Sequence, residues 1–158
     1  MRTGSAELRD WMRQPTAWAI LAVGVLACHG NSPVGAQEAP DLVGAWTGPY
    51  KVIRSNGGAE GILTLRVTEQ DGPLLRLEKS WEVAPGGAPG EVGGELVTKA
   101  TEQLVGVIGF DGREVRFAEQ GDSGIYTGEL TGPDTLELLY VEAGHQATAY
   151  RVVMTRSK

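Results

Sequence analysis

Lys79 is the residue whose position most strongly suggests chemistry. It lies in a segment where apolar residues alternate with polar ones, on the same parity as Leu77 and Trp81. Alternate residues of a β-strand point to the same face, so Lys79 is expected to point toward the core. One interpretation is a lysine whose stem lies on apolar surface while its ammonium reaches water. The other is a binding site in which this cation fixes an acidic or polar head group.

Aromatic residues could form the apolar part of such a site. Ligand sites are mostly apolar and aromatic, with a few polar groups that orient the ligand. Packing of an ordinary core would explain the same aromatics. The candidate ligand-binding residues are Trp46, Tyr50, Lys79, Trp81 and Tyr140.

Catalytic groups are scarce after residue 36. His145 is the only histidine there, and it lies in a turn sequence, so neither a histidine-based triad nor a multi-histidine metal site can be assembled. Glu137 and Glu142 are close in sequence, but strand alternation directs them to opposite faces. The glycine-rich residues 84–94 lack the Gly-Lys-Ser/Thr of a phosphate-binding loop, and we interpret them as a mobile loop. We therefore expect a protein without enzymatic activity, without a metal site and without a cofactor.

The charge balance disfavours nucleic acid as a partner. From Gln37 onward there are 11 basic side chains against 18 acidic ones, which gives a formal charge of −7. Binding to a phosphate backbone needs clustered cations, and here they are scattered singly among acids.

The elements that must position these residues are short β-strands. Segments with period-two alternation are separated by turn sequences such as Asp71-Gly72 and Asp111-Gly112, the pattern of an antiparallel β protein. The predicted strands cover residues 42–53, 61–69, 74–83, 103–110, 113–119, 124–130, 135–142 and 146–156.

Eight such strands favour an all-β, antiparallel up-and-down barrel, because closure removes exposed sheet edges. A two-sheet sandwich is the alternative. Phe110 is placed on the inward parity with the other apolar residues. Glycines on that parity, including Gly48, Gly106 and Gly128, would permit strong coiling and leave room inside.

The two ends of the domain resemble the calycin group of small barrels, which includes lipocalins and avidins. The resemblance is carried by Gly44-Ala45-Trp46 near the start and by Arg156 near the end. It implies that Trp46 plugs one end of the barrel and that Arg156 covers it through a cation-π contact.

The amino-terminal region predicts export. Arg2, Arg9 and Arg13 precede an uncharged run at residues 17–27, too short to span a bilayer as a helix. Residues 1–36 are then a signal peptide with cleavage before Gln37, or the signal is that of a lipoprotein and ends before Cys28, which becomes lipidated. Residues 37–41 form a lead-in, and 42–158 form one domain without a further membrane span. The expected location is periplasmic or secreted, or membrane-anchored through Cys28.

Two functional hypotheses follow. The first is a non-enzymatic exported barrel that binds a small, partly apolar molecule inside. The second is a protein-interaction or inhibitor module that acts through its loops on an envelope or extracellular enzyme, with a solid core.

Overall fold

The computed structural model describes residues 38–157, which contain strands and their connections and no helix. Among these residues there is accordingly no helix long and apolar enough to cross a membrane. The predicted export signal and Cys28 lie outside this part of the chain and remain predictions. The strands are β1 Gly44–Arg54, β2 Gly57–Asp71, β3 Leu74–Val83, β4 Gly90–Val92, β5 Glu95–Val97, β6 Lys99–Ile108, β7 Glu114–Glu119, β8 Ile125–Gly132, β9 Thr135–Glu142 and β10 Thr148–Arg156.

Eight of the strands close into an antiparallel barrel in the order β1-β10-β9-β8-β7-β6-β3-β2. Closure depends on the pairing of the first strand with the last, with Trp46 opposite Arg156 and Tyr50 opposite Val152. The all-β fold and the eight-stranded barrel are therefore confirmed, and the sandwich is not formed. Because every barrel strand has two neighbours, the barrel presents no free sheet edge.

Strand alternation fills the interior as predicted, with one correction. Burial alternates along β1 and β3, and the inward apolar side chains form one continuous core. Phe110, however, is fully exposed, because β6 ends at Ile108 and Phe110 belongs to the turn that leads to β7. The inward glycines leave no room, since a Cβ at Gly106 or Gly128 would meet Phe117 or Leu138.

Residues 84–94, interpreted as a mobile loop, contain ordered structure. β4 lies within this stretch, and β5 directly follows it. The two strands pair as a separate two-stranded hairpin, which we call the β4–β5 hairpin. Its approach to the barrel is fixed by three hydrogen bonds. Arg54 donates to the carbonyl of Ala88, Asn56 to the carbonyl of Pro89, and the amide of Ala88 to the carbonyl of Gly58.

The barrel has two different ends. The lower end is where β1 begins and β10 finishes, and Trp46 fills it with 1 % of its surface exposed. The Trp46 indole donates to the carbonyl of Leu42 over 3.0 Å, and the Arg156 guanidinium lies 4.7 Å from the centre of the Trp46 ring. The upper end, where β1 finishes at Arg54, carries the β4–β5 hairpin.

Candidate functional site

A buried ion cluster occupies the interior toward the upper end. The Lys79 ammonium contacts Glu102 Oε2 at 2.6 Å and also bonds to Glu119 Oε1. Exposed side-chain fractions are 5 % for Lys79, 11 % for Glu102 and 1 % for Glu119. Each charge therefore has an opposite partner inside the protein, as burial of ions requires. The interpretation in which the Lys79 ammonium reaches water does not fit this burial. The interpretation in which Lys79 fixes an acidic or polar head group stays a prediction, and such a group would compete with two carboxylates that are already bonded to the ammonium.

The Tyr140 hydroxyl connects two carboxyl groups. It lies 2.9 Å from Glu119 Oε2 and 2.9 Å from Glu142 Oε2. A phenol has one proton, so it donates to one carboxylate and can accept only from a protonated second one. Burial raises the pKa of both Glu119 and Glu142, which favours that second proton. Burial and the neighbouring carboxylates also raise the pKa of Tyr140, so the phenol stays neutral.

The close contact between Tyr140 and Glu119 depends on a glycine. A Cβ at Gly124 would overlap both Glu119 Oε2 and the Tyr140 hydroxyl. Gly124 directly precedes β8, and its carbonyl accepts from the amide of Glu119. The turn between β7 and β8 therefore passes directly beside the ion cluster.

Aromatic rings surround these charges. The Tyr140 and Tyr150 rings are stacked with centroids 4.7 Å apart, and Tyr50 lies 5.3 Å from Tyr150. The Trp81 indole donates to Glu102 Oε2 over 2.7 Å, and the Arg54 guanidinium lies 5.8 Å from the Trp81 ring centre. The upper interior is thus an aromatic enclosure that contains both cations and carboxylates.

A small cavity remains between these groups. Its volume is about 30 Å³, and its lining includes Tyr50, Arg54, Trp81, Glu142 and Gln146. Two buried polar atoms in this lining, the Tyr50 hydroxyl and Gln146 Oε1, have no hydrogen-bond partner of good geometry within the protein, although the charge of Arg54 is close enough to Tyr50 to lower its pKa against the effect of burial. The space admits a water molecule or a head group of similar size.

The β4–β5 hairpin covers the cavity. Gly90 and Glu91 belong to the lining, and Gly90 packs against the Trp81 ring so closely that a Cβ there would lie 2.7 Å from the ring. Access from solvent therefore runs past the hairpin, which the hydrogen bonds to the carbonyls of Ala88 and Pro89 help to hold against the barrel.

The structure brings four of the five candidate ligand-binding residues together. Tyr50, Lys79, Trp81 and Tyr140 all line the cavity. Trp46 does not, because it lies in β1 at the lower end beneath Arg156. Gly44 begins β1 with φ +127°, two residues before that Trp46 plug. The geometry that the calycin resemblance implies for Trp46 and Arg156 is present, while kinship with that group remains a prediction.

Sequence reasoning missed the acidic partners of Lys79. Glu102 precedes Leu104 by two residues and Glu119 follows Phe117 by two, so both continue the inward parity of their strands. The same parity marks Arg54, Tyr126 and Glu142. Glu137 and Glu142, which alternation predicts on opposite faces, do lie on different faces, since Glu137 is exposed and Glu142 is half-buried.

A metal ion in this cluster would compete with the Lys79 ammonium for the carboxylate oxygens. Carboxylate oxygens of Glu102, Glu119 and Asp122 lie within 4.8 Å of one another, close enough to share a cation. The Lys79 ammonium already bonds to two of the three. A metal bound there would have to displace it, and we assign no metal site.

Fold and site together define a closed antiparallel β-barrel with a charged, aromatic interior at one end. Neither a protein-family model nor a curated protein sequence matches the chain. A de novo designed fluorescence-activating β-barrel is 14 % identical with a TM-score of 0.46, over 77 % of this chain and 96 % of that one. An S-type phycobiliprotein lyase from Guillardia theta is 14 % identical with a TM-score of 0.44, over 74 % and 89 %. These likenesses are too distant to indicate a ligand.

Proposed function

We propose that this protein binds a small molecule at the upper end of its barrel, beneath the β4–β5 hairpin. The observation that carries the proposal is a pair of polar atoms on one cavity, the Tyr50 hydroxyl and Gln146 Oε1, that find no well-placed hydrogen-bond partner within the protein. Buried polar groups nearly always have a partner, and an unmet one costs about 1 to 3 kcal/mol. A bound molecule would supply the missing hydrogen bonds.

The cavity volume limits how such a molecule is held. Sites for drug-sized ligands measure about 300 to 1,000 Å³, far more than the roughly 30 Å³ found here. A polar head group would enter the cavity, and the rest of the ligand would lie along Trp81 in space opened by movement of the β4–β5 hairpin. This proposal is one of binding rather than catalysis, because Glu102 and Glu119 are already paired with Lys79.

Native mass spectrometry of the protein purified from its own source tests the proposal. We expect a stoichiometric excess over the polypeptide mass that disappears on denaturation. A Tyr50→Phe variant should retain less of that excess, since it removes one of the two unpartnered atoms. A bare polypeptide mass in the wild-type protein would contradict the proposal.

Export is proposed as part of this function. The basic residues ahead of residues 17–27 and the sites before Gln37 and Cys28 support it. The intact mass of the same native preparation separates the routes, because a chain beginning at Gln37 is unmodified and one beginning at Cys28 carries acyl chains. A chain that retains residues 1–36 would contradict export by either route.

A second candidate function is protein interaction through the loops, and Phe110 favours it. This aromatic side chain is fully exposed in the turn between β6 and β7. Exposed aromatics are enriched at protein interfaces. Affinity capture with wild-type and Phe110→Ser protein tests it, with Val153→Ser on the barrel wall as the control. A partner retained by Phe110→Ser as strongly as by the wild type would contradict this function.

A further inference from the structure

We propose that the head group held in the upper cavity is a protonated amine. This inference rests on the proposed function and specifies its ligand class. It is drawn from three features of the cavity, namely the balance of charge, the hydrogen-bonding capacity that is still free, and the aromatic faces.

The charge around the cavity is negative. Two cations, Lys79 and Arg54, stand against the carboxyl groups of Glu91, Glu102, Glu119 and Glu142. One proton is held in the contact of Tyr140 with Glu119 and Glu142, so three negative charges face two positive ones. Lys79 is shared between two of those carboxyl groups, and the Arg54 guanidinium donates to the carbonyl of Ala88 over 2.9 Å. Neither cation is bonded to Glu91 or Glu142, although Nδ1 of the exposed His145 lies 3.6 Å from Glu91 Oε2. A cation brought into this enclosure is therefore attracted, and an anion is repelled.

The free hydrogen-bonding capacity calls for a donor. Gln146 Oε1 can only accept, and the carboxylate of Glu142 has further lone pairs beyond its contact with Tyr140. The Tyr50 hydroxyl can accept as well as donate. A primary ammonium group offers three N–H donors and no acceptor, so it matches these groups. A carboxylate or phosphate head group would place acceptors against acceptors.

The aromatic faces fit a compact cation. The Lys79 ammonium already lies 5.4 Å from the centre of the Tyr140 ring, and Arg54 lies over Trp81. Rings at this range attract cations, most strongly where water is excluded. The volume of about 30 Å³ suits an ammonium group, with Tyr50 and Tyr150 on the adjacent wall. The part of the ligand that follows the nitrogen would then meet Trp81 and the hairpin.

Three probes of similar shape test the assignment, benzylamine, benzyl alcohol and phenylacetate. Binding is followed by the NMR signals of the indole N–H groups, since Trp81 lies at the cavity and Trp46 at the opposite end serves as an internal reference. We expect benzylamine to shift the Trp81 signal and leave Trp46 unchanged, with benzyl alcohol and phenylacetate much weaker. An equal or larger shift with either of those two would overturn the assignment and leave the proposed function standing.

The acidic group is tested by a matched pair of variants on β9. Glu142→Gln keeps a partner for Tyr140 but removes the negative charge that Glu142 carries above its raised pKa. Measured at a pH above that pKa, the change should weaken benzylamine binding by about tenfold, the scale of one hydrogen bond between charged groups. Glu137→Gln makes the same change on the exposed face and should leave binding unchanged. Equal affinity in both variants would overturn the role of Glu142.

The compound released from the native protein separates the two proposals. A compound with a basic nitrogen supports the amine assignment. A compound without one overturns the assignment alone, because small-molecule binding would still be established. A bare polypeptide together with no shift from any probe would overturn both.

Discussion

At the scale of single residues, the fold depends on keeping Lys79 between Glu102 and Glu119. Replacing Lys79 with Met would leave two carboxylates buried without a cation, and breaking a buried ion pair from one side costs about 3 to 5 kcal/mol. We expect Lys79→Met to lower the free energy of unfolding by that amount in urea denaturation. Lys99→Met changes an exposed lysine and is the control. Equal stability of Lys79→Met and Lys99→Met would show that Lys79 does not compensate the charge of the buried carboxylates as described.

Glu142 should make the protein less stable as the pH rises. Burial raises the pKa of Glu142, so the folded protein keeps a proton over a range in which the unfolded chain releases it. Stability is therefore greatest below the ordinary carboxyl pKa and falls as the pH climbs to the raised one. Glu142→Gln removes this loss.

The stability of Glu142→Gln relative to the wild type should increase as the pH rises from the ordinary carboxyl pKa of 4.5 to the raised pKa of Glu142, measured by urea denaturation at each pH. Glu137→Gln, on the outside of the same strand, is the matched control. A constant difference between Glu142→Gln and the wild type across this range would contradict the raised pKa.

Parity directs Lys79, Glu102 and Glu119 inward alike, but it does not show that the three meet. The alternation of Leu77, Lys79 and Trp81 was enough to direct the lysine inward. Its partners lie on β6 and β7, and Glu119 is 40 positions further along the chain. Only the closure of the barrel brings these partners to Lys79, and no local sequence pattern indicates a contact between residues so far apart in the chain.

At the scale of elements, the β4–β5 hairpin is held against the barrel by a contact that only glycine allows. In Gly90→Ala the new Cβ would lie 2.7 Å and 3.1 Å from two atoms of the Trp81 ring. We expect the hairpin to move away from Trp81, at a cost of about 1 to 3 kcal/mol. Hydrogen exchange of the Trp81 indole proton should then be faster.

Gly132→Ala is the control for this change, since its Cβ would come no closer than 3.6 Å to Thr135. Unchanged exchange at Trp81 in Gly90→Ala, with normal stability, would show that the hairpin does not cover the cavity as described.

The eight barrel strands were predictable because turn residues mark most of their boundaries, although β6 begins at Lys99 and not at the predicted residue 103. Asp111-Gly112 is an example, since Asp111 Oδ1 accepts from the amides of Arg113 and Glu114 in the observed turn. The hairpin was not predictable. β4 and β5 have three residues each, too few for alternation to be seen, and the glycines around them are typical of irregular structure.

At the scale of the whole molecule, the pairing of β1 with β10 should permit circular permutation. The amide of Ser157 donates to the carbonyl of Ala45 over 2.8 Å, so the beginning and end of the described chain are adjacent. A permutant that joins these ends through a short linker and opens between Asp111 and Gly112 should fold cooperatively, because it keeps every strand pair.

Denaturant unfolding of the permutant, with the NMR signals of Trp46 and Trp81, is the measurement. A second permutant opened inside β6 between Leu104 and Val105 should not fold, since the cut divides a strand that pairs with β3 and β7. Failure of both permutants would show that the order of strands in the chain matters for folding beyond their pairing.

Closure itself could be inferred from the number of strands, but the size of the interior could not. Whether an eight-stranded barrel is solid or hollow depends on the volume of its inward side chains. Here the rotamers of Tyr50, Tyr126, Tyr140 and Tyr150 decide it, and they reduce the space to about 30 Å³. Four of the five candidate binding residues therefore lie together, but the cavity between them is far smaller than the interior of a hollow barrel.

The position of the chain ends makes the lower end of the barrel the suitable place for attachments. Both ends of the described chain leave at the lower end, and the 11 residues of β1 separate that end from the upper end by about 25 Å once strand tilt is allowed for. A fluorescent label, a purification tag or a surface linker joined there would stand clear of the β4–β5 hairpin. The protein could be displayed on a sensor chip through either end with its cavity facing the solution.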